Sequence, residues 1–207
     1  MKLAVITNEQ LKAAFFSKQT ANSATVCFVK EPQHVPADTY IVFDLLFEHT
    51  RERVSLLEQF LPRLVFINAV TDTLTAIGQP FIRINAWPTF LKRNIIEIAA
   101  LPEQQKPVKD AFEQLGWDYQ LVPDITGMIS ARIISTVINE AYYTLNEEVS
   151  TKEEIDTAMK LGTNYPYGPF EWSEKIGLKN IYELFVQLNK ENNLYEVSTL
   201  LTSEIIV

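Results

Sequence analysis

Short apolar runs rich in β-branched and aromatic residues recur through the first 122 residues, and helix-compatible segments lie between several of them. This alternation constrains the fold more than any other feature of the chain, because it favours helices layered on a mostly parallel sheet. The predicted strands are KLAVIT (2–7), TVCFV (25–29), TYIVFDLL (39–46), LVFIN (64–68), FIRIN (81–85), NIIEIA (94–99) and DYQLV (118–122). The predicted helices are EQLKAAFFSK, HTRERVSLLEQFL and PEQQKPVKDAFEQLG, the last ended by Gly116.

The strand-like runs stop after Pro123, and residues 127–147 carry apolar side chains at helical spacing. Ser150 and Glu153 have the spacing of a capping box, and Gly162 is in a position to close the helix that follows. Further helices are predicted over roughly residues 170–176 and 179–190. The sequence therefore predicts an α/β domain over residues 1–122 and an all-α domain over residues 123–207.

The amino-acid composition limits the classes of partner that the protein is expected to bind. The chain has 18 basic and 26 acidic residues, a net charge of −8, and no basic stripe, so neither nucleic acid nor an anionic membrane is expected as a partner. Cys27 is the single cysteine, which excludes an intrachain disulfide and a thiolate metal cluster, and we predict no metal site. No signal-like segment or apolar stretch of about 18 residues is present, which predicts a cytoplasmic protein.

The turn after the first strand bears on nucleotide binding. A strand that runs straight into a helix is how a dinucleotide-binding domain begins, and the turn is then rich in glycine, since the backbone must approach a pyrophosphate. Here the turn is Thr7-Asn8-Glu9, and the first glycine of the chain is Gly78. Glu31 follows the second strand, one position later than an acidic ribose-binding residue belongs, and we interpret it as part of a surface turn. No cofactor-binding residue is assigned.

Residues 124–178 resemble the helical C-terminal domain of 3-hydroxyacyl-coenzyme A dehydrogenases. The matching elements, in order, are Asp124, Gly127 and Arg132, then Asn139-Glu140-Ala141, then Ile155-Asp156 and Ala158 to Gly162, then Tyr165 to Glu171, and finally Gly177-Leu178. The N-terminal part matches in the same order, with Ala37-Asp38, Glu48, LVFINAVTDTL, FIRINAWP and IIEI. So many matches in one order are more specific than a single short motif.

The resemblance implies a Rossmann-like dinucleotide-binding domain followed by a helical domain that forms a homodimer interface. Members of the family oxidise the 3-hydroxyl of a fatty acyl-CoA and pass hydride to NAD. A histidine is the general base, a glutamate orients it, and a serine and an asparagine hold the substrate oxygen. The loop from Val29 to Tyr40 is too short for a further strand and helix, so the predicted sheet is truncated.

Four positions of this chain correspond to the family's catalytic and substrate-holding residues. Glu97 in IIEI matches the glutamate, and Asn85, twelve residues earlier, stands where the family has its histidine. An amide has no pKa near neutrality and cannot accept the proton. Thr73 is the equivalent of the serine, and Ala131 replaces the asparagine before Arg132. The two histidines, His34 and His49, lie upstream and are interpreted as surface residues.

Two hypotheses follow from these residues. In the first, the protein is a degenerate 3-hydroxyacyl-CoA dehydrogenase-like protein with impaired or absent NAD-dependent activity, which works as a binding protein for an acyl-CoA-like small molecule or as a dimeric scaffold. In the second, it remains an oxidoreductase on 3-hydroxyacyl-CoA or a related hydroxy acid with an atypical cofactor site. We predict that the aromatic residues of the helical domain, from Tyr142 to Trp172, form the dimer interface.

Overall fold

The computed structural model describes residues 1–18, 24–193 and 195–206. The chain folds into two compact units, Met1–Met128 and Ile129–Val207. The first is an α/β unit built on one seven-stranded sheet, and the second contains only helices and turns among its described residues. The predicted fold class is thereby confirmed. The division after Met128 falls shortly after the boundary predicted at Val122–Pro123.

Seven strands form the sheet, in the order β2-β1-β3-β4-β5-β6-β7, and all neighbours are parallel except β5 and β6. Each strand lies within one of the apolar runs of the sequence. Their bounds are Lys2–Ile6, Thr25–Val29, Ile41–Asp44, Leu64–Ile67, Ile82–Ile84, Ile95–Ala99 and Asp118–Leu121.

Three of the four α-helices of the α/β unit begin at side-chain caps. They are α1 (Glu9–Phe16), α2 (Arg51–Glu58), α3 (Leu74–Ile77) and α4 (Gln105–Leu115). Asn8, Thr50 and Thr73 cap the first three, each accepting a hydrogen bond from a backbone N–H of the first turn. Gly116 ends α4 with a φ of +70°, as predicted from its position. Helix α3 was not predicted, because four residues are too few to show helical periodicity.

Apolar side chains cover both faces of the sheet. On one face the rings of Phe15, Phe43, Phe66, Phe112 and Trp117 form a continuous cluster with centroids 4.7–5.8 Å apart. On the other face a second cluster of buried aliphatic residues surrounds Val42, Val65 and Phe81. Burial on both faces explains why central strands such as β4 (LVFI) are continuously apolar instead of alternating.

Strand β2 lies at one edge of the sheet. Only a single turn of 3-10 helix, Pro32–His34, separates it from β3, which pairs with the far side of β1. In the usual doubly wound order a third strand lies outside the second, and no strand of the described residues does so here. The sheet is truncated at the place that the short Val29–Tyr40 loop indicated.

The helical unit contains α5 (Ser130–Asn146), α6 (Lys152–Thr163), α7 (Pro169–Ile176), α8 (Leu178–Asn192) and α9 (Thr199–Ile206). Two details of the prediction were wrong. The capping box is formed by Thr151 and Glu154, since the Thr151 hydroxyl accepts from the Glu154 N–H at 3.3 Å and the Glu154 carboxylate accepts from the Thr151 N–H at 3.2 Å. Helix α6 runs through Gly162 and ends at Asn164, which takes the left-handed conformation at a φ of +56°.

Candidate functional site

The polar residues that follow the strands gather at one edge of the sheet. Thr7 and Asn8 follow β1, Glu31 follows β2, Asp44 ends β3, and Asn68 follows β4. These strands are parallel, so their carboxyl ends share this edge, where open α/β sheets bind ligands. The candidate site is therefore this carboxyl edge of the sheet.

Asn85, the first residue after β5, lies opposite Glu97 of the antiparallel strand β6. The pairing of Ile84 with Ile98 extends by one residue, so that the Asn85 backbone N–H donates to the Glu97 carbonyl at 3.2 Å. The Asn85 side-chain Nδ2 donates to the Glu97 carboxylate at 3.4 Å. Asn85 is 2% exposed, and its side-chain oxygen has no hydrogen-bond partner among the described residues. The two residues predicted to share the site are brought together.

Thr73, the third predicted site residue, has a local structural role. Its hydroxyl accepts from the Ala76 N–H at 3.2 Å and caps α3, while the neighbouring Leu74 N–H donates to the Asp124 carboxylate at 2.9 Å. Ala131 is fully buried in α5. A contact between Thr73 and a substrate oxygen remains a prediction from the sequence.

The turn between β1 and α1 is closed by its own side chains. Asn8 Oδ1 accepts from the Leu11 N–H at 2.9 Å, which is one of the amides that a helix N-terminus would otherwise offer to an anion. Thr7 is 5% exposed, and its hydroxyl donates to the Asn8 carbonyl at 3.1 Å. Glu9, exposed in the first turn of the helix, adds a negative charge at the same place.

An ion-pair network joins the ends of β2 and β3 to α2. Arg53 donates from Nε and Nη2 to the two oxygens of Asp44 at 2.7 and 2.8 Å, and from Nη1 to Glu31 at 3.1 Å. The Asp44 side chain is fully buried. Burial raises the pKa of the Asp44 carboxyl, and the hydrogen bonds from Arg53 offset part of that shift. Glu31, interpreted from the sequence as part of a surface turn, is one end of this network.

Arg83 is a buried residue that sequence reasoning missed. It is fully buried in β5; its Nε and Nη2 donate to the carbonyls of Ala69 and Val70 at 2.7 and 3.1 Å, and its Nη1 donates to Asp124 at 2.5 Å. A second bond from Nη2 reaches the Ile125 carbonyl at 3.2 Å. The signal was an arginine inside the apolar run FIRIN, because a charge in a buried strand requires a partner.

His49, interpreted as a surface residue, is held by a carboxylate. Its Nδ1 lies 3.0 Å from Asp72 Oδ1, and the other oxygen of Asp72 accepts from the Thr71 hydroxyl at 3.0 Å. About a third of each side chain of the pair is exposed. The His49–Asp72 pair joins the loops after β3 and β4, so His49 has a specific partner that sequence reasoning did not give it.

The Tyr165 to Glu171 segment of the helical unit makes structural contacts. Asp156 of α6 accepts from the backbone N–H groups of Phe170 and Glu171 at 2.8 and 3.1 Å and so caps α7. A Cβ at Gly168 would lie 2.3 Å from the Asp156 carboxylate, so only glycine fits there. Glu171 accepts from Lys160 at 2.6 Å and from the Gly168 N–H at 3.0 Å, and these bonds lower its pKa. The segment holds two helices together.

Comparisons with known proteins place the helical unit in a family. Residues 127–203 match the model of the 3-hydroxyacyl-CoA dehydrogenase C-terminal domain. The 3-hydroxyadipyl-CoA dehydrogenase of Escherichia coli is 40% identical over 77 residues, which are 37% of this chain and 16% of that protein. The 3-hydroxybutyryl-CoA dehydrogenase of Bradyrhizobium diazoefficiens is 39% identical over 82 residues, 40% of this chain and 28% of that protein. The matched segment thus spans less than a third of either relative.

Solved structures extend the likeness to the whole fold. The (S)-3-hydroxybutyryl-CoA dehydrogenase of Ralstonia eutropha superposes with a TM-score of 0.75 at 18% identity, covering 99% of this chain and 93% of that one. The 3-hydroxybutyryl-CoA dehydrogenase of Escherichia coli gives a TM-score of 0.70 at 18% identity, covering 99% of this chain and 51% of that one. The helical unit therefore matches the 3-hydroxyacyl-CoA dehydrogenase family in sequence, and the whole chain resembles the solved dehydrogenases in fold. Members of this family are NAD-dependent dehydrogenases.

Within the part of the chain that the structure describes, no helix is long and apolar enough to cross a membrane. No group of three or more metal-ligating side chains occurs among the same residues.

Proposed function

We propose that this protein is a 3-hydroxyacyl-CoA dehydrogenase-like protein that does not transfer hydride to NAD, and that it acts as a binding protein or a dimeric scaffold. The observation that carries the proposal is the Asn85–Glu97 pair. Glu97 is in the position of the carboxylate that orients the base, but the group beside it is an amide that donates its N–H to that carboxylate. No proton acceptor of near-neutral pKa stands at this position.

The first turn does not fit the pyrophosphate of NAD. A dinucleotide needs free backbone N–H groups and close approach of the chain, whereas Asn8 Oδ1 is already bonded to the Leu11 N–H. Glu9 would repel a phosphate placed there.

The acidic groups near a ribose position are also engaged in internal contacts. Glu31 and Asp44 both bind Arg53, so a ribose hydroxyl would have to displace an ion pair that holds the ends of β2 and β3 to α2. Together with the first turn, this network argues against a cofactor on the carboxyl edge.

We propose an acyl-CoA-like small molecule as the ligand class, and a second copy of the chain, held through the helical unit, as the partner. The aromatic residues from which the dimer was predicted are in part core, since Tyr142, Phe170 and Trp172 are at most 6% exposed. Support for the dimer comes instead from aliphatic residues on the surface of the unit. These are Ile129, Ile133, Val149 and Leu161, between 40 and 83% exposed, and a second copy packed on this unit would remove their apolar surface from water.

The alternative function, an oxidoreductase on 3-hydroxyacyl-CoA or a related hydroxy acid with an atypical cofactor site, is favoured by the retained Glu97. The experiment is a titration of the full chain with NAD and NADH, followed by calorimetry and by tryptophan fluorescence, with a 3-ketoacyl-CoA present in an activity assay. Our proposal expects no saturable binding at micromolar concentration and no turnover. Micromolar binding accompanied by turnover would replace it with the alternative.

Restoring the missing base provides a sharper test. We expect Asn85→His to give no measurable turnover of a 3-ketoacyl-CoA with NADH, because the closed first turn remains. The control is Asn85→Gln, which keeps an amide and tests whether the position tolerates a larger side chain, as judged by circular dichroism. Turnover by a folded Asn85→His protein would mean that the nucleotide site is intact.

A further inference from the structure

The edge strand β2 presents unpaired backbone groups. In its parallel pairing with β1, the Thr25 N–H donates to the Met1 carbonyl at 2.9 Å and the Val29 carbonyl accepts from the Thr7 N–H at 3.0 Å. Backbone groups alternate in direction along a strand, so those of Thr25, Cys27 and Val29 face β1. The N–H and C=O groups of Val26 and Phe28 point out of the sheet, and no residue of the described chain pairs with them.

The position outside β2, at the edge of the sheet, can accept a further strand. A doubly wound sheet ordinarily has its third strand there, and the chain passes from β2 to β3 through only a 3-10 turn. The strand itself, TVCFV, has no charged residue, proline or bulge, which are the devices that keep edges from pairing. The opposite edge strand, β7, carries Asp118.

We propose that β2 pairs with β2 of a second copy of this chain, antiparallel about a two-fold axis at Cys27, so that the two sheets become continuous. In this register Val26 of one copy exchanges both backbone hydrogen bonds with Phe28 of the other, and the same pair recurs on the other side of the axis. All the outward groups of Val26 and Phe28 are then satisfied. Cys27 lies between these bonds, opposite its own copy.

Side chains and charge also fit a second copy. The register places branched Val26 beside aromatic Phe28, a favourable cross-strand pair. Lys30, the only charged residue from 24 to 30, falls opposite Ala24, so no like charges meet. The antiparallel arrangement also runs the α1 helices of the two copies in opposite directions, which is favourable for their dipoles.

An exposed ring lies next to the proposed contact. Phe16 of α1 is 62% exposed, and its ring lies 4.6 Å from that of Phe28 on the edge strand. Lys12 Nζ lies 5.6 Å from the same ring. A neighbouring copy would cover Phe16 together with the strand, so the apolar surface and the backbone groups indicate the same occupant.

Cys27 makes the pairing testable. Opposed residues that lack mutual hydrogen bonds have Cα atoms about 4.5 Å apart, within the range that a disulfide spans. Mild oxidation of the full chain with copper phenanthroline at micromolar concentration is expected to give a covalent dimer linked through Cys27, identified by mass spectrometry. Light scattering of the Cys27→Ser protein is expected to show the same association without the covalent bond.

Two variants separate pairing from random collision. Val26→Pro removes an outward N–H, which an edge strand tolerates, and Phe16→Glu places a charge in the contact. Each is expected to weaken association and lower the cross-linking yield at least about tenfold, since two copies of each defect enter the interface. Tyr40→Glu is the matched control, because Tyr40 is 61% exposed but lies on neither α1 nor β2. This substitution should leave the association and the cross-linking yield unchanged.

The results of these experiments can be distinguished from those that test the proposed function. Equal cross-linking yields in wild type and in folded Phe16→Glu would overturn the proposal. So would light scattering that gives the same mass for Cys27→Ser and for the Cys27→Ser, Phe16→Glu double variant. If Val26→Pro unfolds the unit, Phe16→Glu decides alone. Ile133→Glu, which disrupts the dimer proposed for the helical unit, should leave the Cys27 cross-link in place.

Discussion

The two units of this protein use their buried polar groups differently. In the α/β unit, charged residues from different strands and loops bind one another, as Arg53 does with Asp44 and Arg83 with Asp124. In the helical unit, carboxylates bind backbone N–H groups at helix starts, as Asp156 does for α7. The Arg53–Asp44 pair occupies the carboxyl edge of the sheet, where a ligand would lie, whereas Asp156 holds the turn before α7 in shape. Family resemblance in sequence is strongest where residues have the second role.

The largest change in stability is expected from a substitution that breaks a buried ion pair of the α/β unit. Arg83→Met should lower the free energy of unfolding of that unit by about 3–5 kcal/mol, because Asp124 and three carbonyls lose their buried partner. Urea denaturation followed by the fluorescence of Trp87 and Trp117 in a Trp172→Phe background measures it.

Lys106→Met is the control for Arg83→Met. It also removes a cation from an ion pair, but the Lys106 side chain is 83% exposed, so the free energy of unfolding should hardly change. Equal effects of the two substitutions would mean that the buried network does not hold the α/β unit together.

A second test concerns the turn of the helical unit. Gly168→Ala should destabilise that unit by about 1–3 kcal/mol, because the added Cβ overlaps the Asp156 carboxylate. The matched control is Gly162→Ala, where a Cβ meets nothing within 4 Å and should stabilise α6 by about 0.5–1 kcal/mol. The fluorescence of Trp172 reports both. If the two substitutions changed stability in the same direction, the close approach at Gly168 would not be the cause.

Sequence reasoning reached the fold and part of the site, for physical reasons. Strands buried on both faces leave continuous apolar runs, so the strands could be predicted. Helix ends leave weaker local signatures: the Gly116 end of α4 was predicted correctly, whereas the capping box before α6 was placed one residue too early. The proximity of Asn85 and Glu97 followed from their family positions. The partners of Arg53 and Arg83 lie 9 to 42 residues away, and no local pattern encodes them. Helix α9 was also missed, since the polar and apolar residues of Thr199–Ile206 do not show a clear helical periodicity.

A third test concerns the closed first turn. Asn8→Ala removes the bond to the Leu11 N–H and should cost about 1 kcal/mol, whereas Asn8→Gly should cost only a few tenths, since glycine is itself an acceptable cap. Thermal denaturation of both variants measures the difference. If opening this turn by Asn8→Gly gave saturable NAD binding, the Asn8 cap alone would be what distinguishes this edge from that of a cofactor-binding relative.

The smallest effect is the pH dependence of the helical unit. The bond from Lys160 and that from the Gly168 N–H lower the pKa of Glu171, and the bonds from Ser150 and Thr151 lower the pKa of Glu154. A carboxyl with a lowered folded pKa stabilises the protein when ionised. This stability is complete above the ordinary glutamate pKa of about 4.3 and is lost as the pH falls through the lower folded values.

Melting temperatures of wild type and Glu171→Gln should therefore differ at pH 6 and converge as the pH approaches 3. Other carboxyls titrate over the same range, so the difference between the two proteins isolates the contribution of Glu171. Both partners of the Lys160–Glu171 pair are more than a third exposed, and solvent screening keeps the difference small. A constant difference across the range would mean that Glu171 acts through packing and not through its charge.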